Sequence, residues 1–178
     1  MTVVQDTVVR IPPGIMWVDS PIAWEGNGAH DNFAIVGDGP CSRIVLRGAA
    51  TLTIKNMSRW SISNIQIVKA SGSSPIDHML VLDNVSWGHM HGVLLDGFGL
   101  GAGIAAIKCG GNKFSNLTIL DVSGLSASVS GIGMFFDQRL GNLDNKIHNV
   151  IMHPFSSGVG DSMFCVLGET AGFFITNL

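Results

Sequence analysis

Five stretches of this chain repeat one pattern: ISNIQI from Ile62, MHGVLL from Met90, FSNLTI from Phe114, IHNVIM from Ile147 and ITNL from Ile175. Each reads apolar, any residue, Asn or Gly, apolar, and the longer ones continue with any residue and apolar. The third place holds Asn64, Gly92, Asn116, Asn149 and Asn177, at intervals of 28, 24, 33 and 28 residues. A period of this size marks units that cannot bury an apolar face alone and must stack on one another. Each unit also has an earlier run: LTI from Leu52, LVL from Leu80, AAI from Ala105, MFF from Met134 and FCV from Phe164. Period-two alternation in these runs predicts inward pairs Leu52/Ile54, Leu80/Leu82, Ala105/Ile107, Met134/Phe136 and Phe164/Val166. No ten-residue segment keeps helical spacing.

A repeat of about 28 residues without helices calls for coils stacked strand on strand at about 4.8 Å. The expected fold is all-β: a right-handed parallel β-helix, a solenoid of about six coils. Residues 1–178 read as one such domain, with irregular coils over 1–50 and regular repeats over 51–178. Asn and Gly at a fixed corner suit the left-handed backbone that a sharp bend needs. Stacked Asn side chains also bond along the axis, so Asn64, Asn116, Asn149 and Asn177 are expected to form a ladder.

The 178 residues are 46% hydrophobic and only 13% charged, with a mean hydropathy of +0.38. A chain this apolar needs a long core or apolar surface hidden in an assembly. Alternation places Thr53, Val81, Ala106, Phe135 and Cys165 in one outward row, and Lys55, Asp83, Lys108, Asp137 and Leu167 in the next, where charges alternate in sign. The first row is largely apolar, and Leu94 and Ile151 also face outward. Two partly apolar faces point to a homo-oligomer, a trimer about a three-fold axis, or else to loops at 70–78 and 121–131 folding back over them. The net charge is −3, and Arg10, Arg43, Arg47, Lys55, Arg59 and Lys69 are scattered, which argues against nucleic acid as a partner. No apolar run reaches the ~18 residues of a membrane span, and the N-terminus lacks the layout of a signal peptide. Cys41, Cys109 and Cys165 are odd in number and have no metal spacing, so they read as free thiols suited to a reducing compartment. No metal or other cofactor is expected.

The densest cluster is Trp87-Gly88-His89-Met90-His91. With Met90 inward, His89 and His91 face out, with Arg59 and Trp60 one coil below and Lys113 one coil above. Aromatic faces beside hydrogen-bonding groups suit sugar recognition. Arg59, Trp60, Trp87, His89, His91 and Lys113 are therefore candidate carbohydrate contacts; the alternative is solvated histidines and tryptophans packed under loops. Two histidines without a third ligand do not make a zinc site. Asp96 and Asp121 follow the second strand in successive coils and are candidate catalytic residues, since glycoside hydrolysis needs two carboxylates about 5–10 Å apart. Turn capping is the competing role for both. The run Gly97, Gly99, Gly101, Gly103 reads as a turn between coils rather than a nucleotide loop.

The N-terminal part reads VVRIPPGIMWVDSPIAW, then NFAIVGDGPCSRIVLRG, each strand–turn–strand. A strand–IPPG–strand–SPI opening, then I-x-G-x-G, then these repeats, resembles the pectate-lyase-like single-stranded parallel β-helix family over residues 8–178. In character the chain is most similar to the family's phage tailspike and tail-fibre modules. The resemblance implies a virion protein, assembled in the host cytoplasm, that binds bacterial surface polysaccharide and in a longer parent degrades it. A secreted, stand-alone polysaccharide lyase or glycoside hydrolase and a purely structural virion subunit are the alternatives. The family's paired aspartates with Gly-His-Gly and its calcium cluster are not in this chain; Gly88-His89-Met90 echoes only part of the former. The last repeat stops inside its second strand at Leu178, and little room precedes the IPPG strand for a capping helix. The expectation is a chain excised from a longer polypeptide or capped by partner subunits.

Overall fold

A computed structural model describes residues 2, 6–27, 32–70, 76–97, 100–120, 132–137, 139, 144–153, 162–167 and 173–178. Their regular structure is entirely β: β1 Val8–Ile11, β2 Gly14–Val18, β3 Ile22–Glu25, β4 Ala34–Gly37, β5 Ser42–Leu46, β6 Leu52–Ser58, β7 Ser61–Ser63, β8 Gln66–Lys69, β9 Ile76–Ser86, β10 His89–His91, β11 Leu94–Asp96, β12 Leu100–Ile107, β13 Lys113–Leu120, β14 Ile132–Asp137, β15 Lys146–His153, β16 Ser162–Leu167 and β17 Phe174–Thr176. Strands β3, β6, β9, β12, β14 and β16 form one parallel sheet, the first face. The others form a second sheet bent into two faces. Its second face stacks β1, β4, β7, β10, the first halves of β13 and β15, and β17. Its third face stacks β2, β5, β8, β11 and the second halves of β13 and β15. The chain visits the faces in turn and comes back in parallel register, a parallel β-solenoid of about four turns. With no helix among the described residues, none is long and apolar enough to cross a membrane.

Bends between faces fall at residues with positive φ, in columns one turn apart. Asn64, Gly92, Asn116, Asn149 and Asn177, with φ from 52° to 61°, separate the second face from the third. Two further columns, unread in the sequence, turn the chain from the first face to the second: Asn56, Asn84 and Lys108, then Arg59, Trp87, Gly111 and Asp144. In the first column Asn149 Nδ2 donates to Asn116 Oδ1 at 2.6 Å, while Gly92 interrupts the ladder below Asn116. A second ladder runs where none was expected, from Asn84 Nδ2 to Asn56 Oδ1 at 3.0 Å and from Asn56 Nδ2 to Glu25 Oε1 at 3.1 Å.

One register differs from the sequence reading. Ile104 pairs with Leu80 and Met134, and Ala106 with Leu82 and Phe136, so the inward pair of β12 is Ile104/Ala106 rather than Ala105/Ile107. A one-residue slip exchanges the two faces of a strand, and alanine on both sides of the phase boundary, at 105 and 106, hid it. Ala105, not Ala106, joins Thr53, Val81, Phe135 and Cys165. Ile107, not Lys108, stands between Asp83 and Asp137, which breaks the alternation of charge. The Glu25–Lys55 ion pair closes to 3.0 Å, and Arg139 rather than Lys108 pairs with Asp137, at 2.6 Å. The apolar outer row is partly self-covered. The rings of His78 on β9 and Phe135 on β14 stack at 6.4 Å across β12, where Ala102 and Ala105 are fully buried. Residues 71–75 and 121–131, which carry the expected covering loops, lie outside the described residues.

Two asparagines, Asn112 and Asn145, are buried in the core at one corner. There the inner column runs Phe33, Trp60, Gly88, Asn112, Asn145, Phe173, one residue before the second face. Gly88 leaves room for the Trp60 indole; a Cβ on it would lie 2.0 Å from indole atoms. Trp60 thereby reaches Asn112, whose Oδ1 accepts from indole Nε1 at 3.1 Å and from the Gly88 amide at 2.8 Å. Asn112 Nδ2 donates to Val85 O and to Asn145 Oδ1, and Asn145 Nδ2 to Cys109 O. Two buried amides are thus satisfied inside the solenoid, as a desolvated polar group requires. Burial pushes the Cys109 thiol up to about 12.

Candidate functional site

Strand pleating aims alternate residues of the second face outward. One outward column there is Ser61, His89, Lys113, Lys146, Phe174. The other is Ser63, His91, Ser115, His148, Thr176. Neighbours in a column are one rung apart, roughly 4.8 Å. Beside them runs the corner column of Arg59, Trp87, Gly111 and Asp144.

Trp87 is the most exposed large apolar residue among those described, at 74%. Its φ of 54° turns the side chain out of the core, and its ring lies against Gly111: a Cβ there would sit 2.9 Å from Trp87 Cε3. Glycine at 111 thus meets two demands, a φ of 67° and a bare surface on which the indole rests.

Beside Trp87, the Ser115 hydroxyl lies between two imidazoles, 2.9 Å from His89 Nε2 and 3.1 Å from His91 Nδ1. The two rings are 5.6 Å apart, and Asn116 Nδ2 approaches His91 Nδ1 at 3.4 Å. Burial lowers the His89 pKa, and Lys113 and His91 push it the same way. Ser115 is only 3% exposed, so its hydroxyl serves as a bridge that holds both rings rather than as an accessible nucleophile. Higher on this face His148 Nδ1 meets Thr176 Oγ1 at 2.7 Å.

Of the sequence candidates, Arg59, Trp87, His89, His91 and Lys113 come together on this flank. Trp60 does not: it is 1% exposed and belongs to the core column, because a residue one place before an outward strand residue points inward. Asp96 is half-buried on the third face, in register with Val68 and Leu120, away from Trp87. Asp121 lies outside the described residues. Glu25 and Asp137 both have lowered pKa values, from hydrogen bonds of Lys55 and of Arg139 respectively, the opposite of what a general acid requires. Among the described residues no three His, Cys, Asp or Glu converge as a metal ion would demand.

Sequence reasoning missed Ser115, Lys146 and His148. The repeat held the signal: the second place of each unit reads Ser63, His91, Ser115, His148, Thr176, which is the outward column itself. No protein-family model, no curated protein and no solved structure matches this chain.

Proposed function

We propose that this chain is a carbohydrate-binding module of a phage tailspike or tail-fibre kind of virion protein, whose second face contacts bacterial surface polysaccharide. The observation that carries the reading is Trp87, an indole 74% exposed yet seated on Gly111, beside His89 and His91. Pyranose rings stack on such indoles while their hydroxyls bond to the polar groups alongside. The same reading takes the solenoid as right-handed, the hand of nearly all parallel β crossovers, with about six coils in the six-stranded first face. It also takes the assembly as a trimer, with the outward Val81, Phe135 and Cys165 of that face turned to a neighbour.

The test is an array of bacterial surface polysaccharides probed with the wild type and with Trp87→Ala. Wild-type binding that falls about tenfold in the variant, as loss of one stacking contact implies, with an unchanged melting temperature, supports the reading. Absence of wild-type binding, or equal binding by both, overturns it. Light scattering that gives a stable monomer overturns the trimer alone.

A further inference from the structure

We propose that His89 and His91 form a proton-operated switch that makes the second face take up acidic glycans as pH falls, an inference that rests on the carbohydrate-binding reading above. Folding gathers charge that the sequence scatters. Lys113 and Lys146 stand on successive rungs above His89, and Arg59 and Asp144 lie in the adjacent corner column. On the remaining elements packed here, β7 contributes Ser61 and Ser63, β13 Ser115, β15 His148, and β17 Phe174 and Thr176. Arg59, Lys113 and Lys146 against Asp144 leave two net positive charges with the histidines neutral. Each proton taken up by the switch pair adds one more.

Hydrogen bonding specifies the neutral form. Asn116 Oδ1 accepts from Asn149 Nδ2, so its amide nitrogen, a pure donor, is the group turned to His91. His91 Nδ1 is therefore an acceptor and its proton resides on Nε2. The one proton of the Ser115 hydroxyl goes to His91 Nδ1, and the hydroxyl oxygen accepts from His89 Nε2–H. A proton added at His91 Nδ1 would face the Asn116 amide donor and free the ring toward solvent. A proton added to His89 lands on Nδ1, leaves the Ser115 bond intact and adds charge beside Lys113. Burial and Lys113 oppose that charge, so it waits for mildly acid pH or for an anion that offsets both. A glycan carboxylate is such an anion, and it stays ionised at pH 5.

The experiment is calorimetric titration of the full chain with alginate oligosaccharides, which carry one carboxylate per sugar, and with neutral dextran, at pH 7.5 and pH 5.0. Alginate is expected to bind about tenfold more tightly at pH 5.0, on the scale of a few exposed charge pairs, while dextran shows no change. The double variant H89Q/H91Q keeps hydrogen-bonding side chains that cannot charge; whatever its affinity at pH 7.5, it should bind alginate no more tightly at pH 5.0. Imidazole nitrogen NMR at pH 7.5 should show protons on Nε2 of both rings. An acid response that persists in the double variant, alginate affinity independent of pH, equal tightening of dextran, a proton on His91 Nδ1, or tighter binding of duplex DNA than of alginate each overturns the switch. No glycan bound at either pH, with polysaccharides on the array silent too, instead removes the carbohydrate reading beneath it.

Discussion

Replacing Gly88 by alanine puts a methyl group where the Trp60 indole already sits, 2.0 Å from its Cε2 and Nε1. The indole has nowhere to go. It packs on Phe114 at 6.4 Å between ring centres, and its N–H is bonded to Asn112. Overpacking of a closed core typically costs ~1–3 kcal/mol, and the indole bond adds about 1 kcal/mol if it breaks. Gly88→Ala is thus expected to destabilise by about 2–4 kcal/mol. Trp60→Ala alone opens a cavity and should cost about 3–5 kcal/mol. In the double variant the methyl group introduced at position 88 enters space that Trp60 has vacated, so the two costs should fall short of their sum by about 2–3 kcal/mol. Urea unfolding at constant slope measures the cycle. Because a solenoid passes strain mainly to adjacent turns, hydrogen exchange should quicken at the Ser61, His89 and Lys113 amides, which bond across this column, and stay unchanged in β2. Costs that add to within ~0.5 kcal/mol would refute the argument that the two residues compete for one volume.

Ser42 is fully buried; its hydroxyl donates to Ile11 O and accepts from the Asp38 amide, both at 2.8 Å. Ser42→Ala should cost about 2 kcal/mol in urea unfolding, and a change near zero would mean that these bonds are not formed in solution. Asn116 holds a φ of 52°, so Asn116→Ala should lose about 1–2 kcal/mol and Asn116→Gly less, with the ranking read from melting temperatures; the reverse ranking contradicts the corner assignment. Cys109, buried with a thiol pushed up to about 12, should resist iodoacetamide at pH 8 until the protein unfolds, whereas exposed Cys41 should react at once, as mass spectrometry would show. His89 has a folded pKa below its unfolded value, so between the two the unfolded chain binds more protons and stability falls as pH drops through about 6.5. The melting temperature should therefore be lower at pH 5.5 than at pH 7.5, and His89→Gln should reduce that difference.

The sequence by itself determined the stacking of parallel strands. Asn and Gly recur at the left-handed corner because few other residues adopt that backbone at little cost, and apolar residues recur at the inward places because the coil closes around them. Such local demands repeat turn after turn, so they were legible without coordinates. The phase of β12 was not: Ala105 and Ala106 are small and apolar alike, and only pairing with Leu82 and Phe136 selects Ala106 as the inward residue. The fate of Trp60 also needed tertiary structure, since whether an indole lies in solvent or in the core depends on Gly88 and Asn112, 28 and 52 residues further on. In the candidate site, Trp87, His89 and His91 stood together in the sequence and drew notice there. Ser115 and Lys146 joined them only through register, because a β-solenoid converts a separation of 24 or 33 residues into one rung of about 4.8 Å. That conversion lets two histidines share one hydroxyl beneath a column of lysines.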